Sequence, residues 1–205
     1  SHLIGVPNLD SMSGKFYARF SVKNEDDSDS YLRQAHRRME LHTDGTFVNE
    51  ITDWVIMQKI LEVDVEGGDS LLLHLDDWQD LDKFYINPLA KQKFQWGSPA
   101  SKNIGYKNFH PIFINDKSDS QPKISFIDQF VEPLNIEQGM YLFEVGESLE
   151  NEVNTSNVKL LEGSMIIINN YFWLHGRDKF TANKKLHKEL LRQRGAFQEN
   201  AGSNN

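Results

Sequence analysis

The stretch Glu40-Leu41-His42-Thr43-Asp44-Gly45 places an imidazole and a carboxylate two residues apart. On an extended backbone side chains alternate, so His42 and Asp44 share one face while Leu41 and Thr43 take the other. Gly45 then permits a sharp turn immediately afterwards. A histidine and an aspartate side by side at the end of a strand can supply two of the three ligands of a 2-His-1-carboxylate iron site. A second pair, His74 and Asp76, has the same spacing. It ends the apolar run Leu71-Leu72-Leu73, where Asp76 is placed to cap a short helix through Trp78, Leu81 and Phe84. No capping role accounts for Asp44, which favours the first pair, although so short a motif also arises by chance.

A third ligand could come from His110, His175 or His187. A metal-bound 2-oxo acid needs a cation for its far carboxylate, and arginine offers a planar two-pronged fork. His175 is followed by Arg177, Arg192 and Arg194, whereas His110 has no arginine until Arg177 and His187 lies in a lysine-rich, surface-like segment. The bland alternative for His175, set among Phe172, Trp173 and Leu174, is a core histidine with its ring nitrogens satisfied. The residues alone leave both readings open.

These side chains need strands to hold them. Residues 15–23 and 39–47, Trp54 to Ile60, Leu71 to Leu75 and Met165 to Ile168 read as strands from their β-branched, aromatic and apolar runs. Residues 109–114 and 123–130 read as hairpin arms joined by the turn-rich NDKSDSQP. Residues 24–30 (NEDDSDS) read as a solvated acidic loop, since the spacing and glycine of a calcium loop are missing. Asn135 to Leu149 fits an amphipathic helix, with Gly139 counting against it. Lys184 to Phe197 is ambiguous: its propensity is helical, yet Arg192 and Arg194 make sense together only on a strand. Many short strands with few helices point to a β-sandwich or jelly roll with helical additions.

The totals narrow the function further. The chain of 205 residues suits one domain, and its net charge of −8 with no dense Lys/Arg run argues against nucleic acid as a partner. No apolar run approaches the roughly 20 residues of a membrane span, and no signal peptide is visible at the start. The absence of cysteine excludes thiolate catalysis, disulfides and Cys-based metal sites, and is compatible with the cytoplasm.

Longer stretches carry a family resemblance: SGKFYARF (13–20), SDSYLRQAHRRMELHTDGTF (28–47), GGDSLLLHLDDW (67–78), NNYFWLHGRDKF (169–180) and ELLRQRGAF (189–197). In these the chain resembles the bacterial glutarate 2-hydroxylases, the carbon-starvation-induced branch of the iron(II)/2-oxoglutarate dioxygenases. The resemblance implies a mainly β chain folded as a double-stranded β-helix, a distorted jelly roll, over 1–197; the small, polar residues 198–205 read by themselves as a disordered tail. It assigns Fe(II) to His42, Asp44 and His175, makes His74/Asp76 the decoy and turns ELLRQRGAF into a strand. 2-Oxoglutarate would be the co-substrate, its C5 carboxylate held by Arg192 or Arg194 with the Ser70 hydroxyl assisting, and glutarate would be hydroxylated to 2-hydroxyglutarate. It further implies a homotetramer and an N-terminal segment that this chain lacks. Competing readings are a relative acting on another small carboxylate, a catalytically inactive cupin-like relative, and a zinc hydrolase using the same three ligands. The last lacks an H-E-x-x-H motif.

Overall fold

The computed structural model describes residues 3–10, 13–23, 37–98, 104–114, 121–181 and 185–198. Its strands are β1 (Gly5–Pro7), β2 (Ala18–Lys23), β3 (Met39–His42), β4 (Trp54–Val63), β5 (Ser70–His74), β6 (Phe94–Trp96), β7 (Asn108–His110), β8 (Phe113–Ile114), β9 (Lys123–Ile124), β10 (Val131–Glu132), β11 (Ser156–Val158), β12 (Met165–Asn169), β13 (Trp173–Arg177) and β14 (His187–Phe197). Two α-helices accompany them, α1 (Leu81–Tyr85) and α2 (Ile136–Glu150).

Two antiparallel sheets organise the molecule. One has the order β1-β14-β4-β12, with β2 also on β14; the other has the order β11-β5-β13-β3. Smaller ribbons, β10-β6-β7 and β8-β9, complete the strands. This is the expected jelly roll, and the side-chain alternation explains how it closes. In the second sheet Leu41, Leu71, Leu73 and Leu174 turn to one face and join the main core with Tyr141, Leu142, Val145 and Leu149 of α2. Leu72 and Trp173 turn to the other face and pack with Val55, Met57, Ile166, Ile168 and Leu190 of the first sheet. The two sheets therefore enclose a lumen with a small apolar lining, and His42 and His175 share the face of Leu72.

β14 resolves the ambiguity of the lysine- and leucine-rich segment in favour of a strand. It is paired on one side to β4 and on the other to β2 and β1. Two flanking ladders and a buried inner face outweigh a helical propensity worth only tenths of a kcal/mol per residue.

Several expectations change. Asp76 is not a helix cap: His74 Nδ1 accepts from the Asp76 amide at 3.2 Å and caps a 3-10 turn over Leu75–Asp77. The helix begins later, after Asp80, which makes no side-chain cap. Among the described residues the two hairpin arms pair through the short strands β8 and β9, continued by the Ser125 amide donating to the Ile112 carbonyl at 2.8 Å. His110 belongs instead to β7, and 128–130 form a 3-10 turn. α2 is capped by Asn135, whose Oδ1 accepts from the Gln138 amide at 2.8 Å. Its buried residues are Gln138, Tyr141, Leu142, Val145 and Leu149, while Ile136, Met140 and Phe143 face outward. At Gly139 a Cβ would meet only Pro133, at 3.7 Å, so no close approach calls for glycine there, and the packed face of α2 outweighs its entropic cost of about 1 kcal/mol. The acidic loop at 24–30 and most of the polar tail lie outside the described residues.

Candidate metal centre

β3 and β13 run antiparallel with His42 and His175 directly opposite. Cross-strand partners stand about 5 Å apart on one face, and the two imidazoles accordingly have centroids 4.4 Å apart. Asp44 follows β3 by two residues, on the bend that Gly45 permits. Gly45 has φ +87°, and a Cβ there would lie 2.4 Å from Thr52 Oγ1. One donor atom from each of His42, Asp44 and His175 falls within 4.8 Å of the others.

Hydrogen bonds hold the bend in place. Asn170, just past β12, accepts from the Asp44 amide at 2.9 Å and donates to the carbonyls of Asp44 and Thr52 at 2.9 and 2.8 Å. Thr43, pointing away from the lumen, exchanges bonds with Phe126: its amide donates to the Phe126 carbonyl and its hydroxyl accepts from the Phe126 amide. The alternation expected from the sequence thus acts twice, once for the ligands and once for their anchor.

The donor chemistry fits a metal ion. His42 Nδ1 is 2.8 Å from the Glu40 carbonyl, which fixes the ring and leaves Nε2 to coordinate. Asp44 Oδ1 accepts from Arg192 at 2.7 Å, while Oδ2 is buried, 3.9 Å from His175 Nε2, and has no hydrogen-bond partner. Such an oxygen beside two imidazoles is what a cation would satisfy. Burial lowers the pKa of His42, and lowers that of His175 to about 3, against the opposing pull of Asp44. Burial alone would raise the Asp44 carboxyl; the charges of Arg192, His175 and Arg194 outweigh it and hold the group well below the usual carboxylate range. Two neutral imidazoles and one carboxylate are the state in which these groups bind a metal.

The rejected histidines have other occupations. His74 caps its turn and lies edge-on to Trp173, centroids 4.8 Å apart. His110 has each ring nitrogen 2.8 Å from a backbone carbonyl, of Pro111 and Thr46, and stacks on Trp96. His187 Nε2 meets Glu189 at 2.9 Å.

Arg192 and Arg194 project from the same face of β14, opposite Met57 and Val55 of β4. Arg192 also lies over the Phe20 ring, 4.8 Å from its centroid. Arg194 is close enough to feel the Asp44 charge, and burial lowers its pKa. Ser70 opens β5 opposite Arg177 and is half-buried. Sequence reasoning missed Asn170 and Lys188. Asn170 was visible only as half of Asn169-Asn170 after an apolar run, and Lys188 was one lysine among three in a segment of uncertain conformation.

Comparison with known proteins gives a consistent picture. The chain is 53% identical over 197 residues to glutarate 2-hydroxylase of Salmonella typhimurium (strain LT2) and to that of Klebsiella pneumoniae (strain 342). Against the Citrobacter koseri protein of the same name it is 51% identical. Each match covers 96% of this chain and 60% of the relative, so the chain spans about three fifths of the length of these curated relatives. Among solved structures, asparagine oxygenase in complex with Fe(II), hydroxyasparagine and succinate superposes with a TM-score of 0.75 at 18% identity, covering 93% of this chain and 60% of that one. The non-heme iron oxygenase OrfP in complex with Fe and α-ketoglutaric acid gives 0.72 at 16%, covering 95% and 61%. At such identities these two establish the shared fold. The CsiD family model matches residues 1–197, spanning the triad and every strand described, and the chain belongs to the CsiD family.

Proposed function

We propose that this chain carries an Fe(II)- and 2-oxoglutarate-dependent dioxygenase that hydroxylates glutarate to 2-hydroxyglutarate with release of succinate and CO2. The observation that supports it best is the buried His42–Asp44–His175 cluster, which presents an unpartnered carboxylate oxygen and two neutral imidazoles to a lumen walled by Arg192 and Arg194. The names of the 53%-identical relatives supply the substrate.

His42, Asp44 and His175 would hold the iron on one face, leaving positions open for exogenous ligands. When bound, the iron supplies the oxygen-activating redox chemistry that no side chain here can provide. The protein's part is binding and orientation. Arg192 keeps Asp44 ionised and fixes which oxygen is left for the metal. Arg192 and Arg194 together set a positive wall against which the carboxylates of co-substrate and substrate dock, and glutarate, a dianion, needs such a wall. No protein acid or base is required. The reading extends to a cytoplasmic homo-oligomer, a tetramer by family resemblance, which light scattering would test.

The test of function is anaerobic reconstitution with Fe(II), followed by 2-oxoglutarate and oxygen, with and without glutarate, and mass spectrometry of the products. Equal amounts of succinate and 2-hydroxyglutarate, abolished in His42→Ala, are expected. Succinate that glutarate does not stimulate would keep the reaction class and discard the substrate. No succinate from iron-loaded protein would contradict the reading.

A further inference from the structure

One buried nucleophilic group has no part in the chemistry proposed above. Lys188 lies two residues before Leu190 on β14, and Lys59 of β4 is the partner of Leu190. The two lysines are 7% and 3% exposed, and their side-chain nitrogens are within hydrogen-bonding distance of each other. Lysine is rarely buried so fully without a matching anion. Glu62 is bonded to Lys59. Among the described residues no carboxylate reaches ion-pair distance of Lys188, and Asp69 acts on it only at longer range.

The contact between the two nitrogens identifies which lysine gives up its charge. An ammonium has three donors and no acceptor, so two of them cannot bond each other. Lys59, held by the Glu62 carboxylate, keeps its proton and donates, with Asp69 and Glu162 favouring that charge at longer range and Lys159 opposing it. Lys188 accepts as an amine and donates its own N–H to the Gly68 carbonyl. Burial, with the charges of Lys59 and Arg177, lowers the Lys188 pKa to about 7, so near neutral pH the group divides between ammonium and amine. Its nitrogen stands over the Phe180 ring, 4.9 Å from the centroid, and the Arg177 guanidinium lies 4.8 Å from the same centroid. Gly67 and Gly68 have φ of +79° and +68°, and a Cβ on Gly68 would lie 1.9 Å from the Phe180 ring. Only glycine lets this turn press on Phe180 and offer its carbonyl to Lys188. A desolvated lysine amine beside a second cation is an activated nucleophile. Packed this closely, it admits only a small electrophile.

We propose that Lys188 is a site of reversible carbamylation, at which its buried amine captures carbon dioxide and the Lys59 ammonium holds the product. The amine lone pair forms an N–C bond to the carbon of CO2, and one C=O π pair moves onto oxygen. One N–H proton leaves to water, so an uncharged amine becomes a carbamate anion without oxidant or reductant. The Lys59 N–H that bonds the amine is then placed to bond a carbamate oxygen, and the charge of Arg177, which disfavours the ammonium, favours the anion. Cations gathered out of water cost stability unless an anion joins them, and the carbamate supplies that anion from the lysine itself. The assignment stands apart from the dioxygenase reading, because dissolved CO2 is the reactant; the reaction proposed above releases CO2 as well.

The test equilibrates the full chain with bicarbonate at about pH 7.5, where the Lys188 amine is largely uncharged and an ordinary lysine, near 10.4, is not. Trimethyloxonium then freezes any carbamate as its methyl ester, and peptide mass mapping locates it. Label on Lys188 is expected at least about 10-fold above that on the exposed Lys83 and Lys107, since the uncharged amine is the reacting form. In urea-unfolded chain the excess should vanish. Bicarbonate should also raise the thermal unfolding temperature of the unaltered chain and leave Lys188→Met and Lys188→Glu unmoved, the glutamate carrying a permanent carboxylate. The labelling needs no variant, so a substitution that fails to fold does not blunt the test. Lys188 without label in folded protein, or labelled no more than Lys83 and Lys107, would overturn the proposal. So would a bicarbonate effect on stability that persists in Lys188→Met.

Discussion

The triad depends on residues that touch no metal. Asn170 makes three hydrogen bonds across the Asp44 bend and is 2% exposed. Asn170→Ala therefore strands buried amide and carbonyl groups, and a loss of about 2 kcal/mol or more in denaturant unfolding is expected. Metal affinity should fall about 10- to 100-fold in the same variant, because the support of a ligand counts nearly as much as the ligand. Arg192 poses the converse question. Arg192→Ala removes the partner of Asp44 Oδ1, and kcat/KM should drop at least 10- to 100-fold; kinetics near those of the unaltered chain would refute its role. At this scale the sequence was informative about His42 and Asp44, because period-2 alternation and Gly45 act locally. It was silent about Asn170, whose partners are more than a hundred residues away. It was equally silent about Lys188, whose burial depends on two facing sheets.

Elements explain why some sequence signals failed. β14 carries residues that favour a helix, and pairing on both flanks decided against them. α2 shows the opposite case: the helix was legible, but its buried face was not. Only part of the apolar series at 136, 140, 142, 143, 145 and 149 turns inward, because Tyr141 and Gln138 complete the packed face. Leu149→Ala should cost about 2–5 kcal/mol, whereas Met140→Ser, 61% exposed, should change unfolding stability by less than about 0.5 kcal/mol. His74 likewise turned a helix-cap motif into its own cap, so the decoy pair has a structural duty. On β14 itself, Lys188→Met removes a buried cation. The unliganded protein should then be as stable as before, or more so by up to about 2 kcal/mol, in thermal unfolding. A large destabilisation would show that Lys188 is there for the fold.

For the molecule as a whole, the two sheets supply different halves of one site. β3 and β13 bring the imidazoles together, and β14 brings the cations that keep Asp44 ionised and face the lumen between the sheets. A β-sandwich or jelly roll was legible in the many short strands with few helices, and the family resemblance chose the jelly roll between them. The meeting of two sheets around a lumen was not, since it is set by pairing across most of the chain. A metal bound between β3 and β13 should stabilise the native state by mass action, by about 2.7 kcal/mol at one hundred times its Kd. Chelation should reverse that gain in thermal unfolding. The central claim is that His42, Asp44 and His175 are the ligands, and the most direct measurement is metal content after anaerobic Fe(II) loading and desalting. One iron per chain is expected in the unaltered protein and in His74→Ala, and essentially none in His42→Ala, Asp44→Ala or His175→Ala. Full occupancy in the Asp44 or His175 variant, or loss of iron in His74→Ala, would contradict the account.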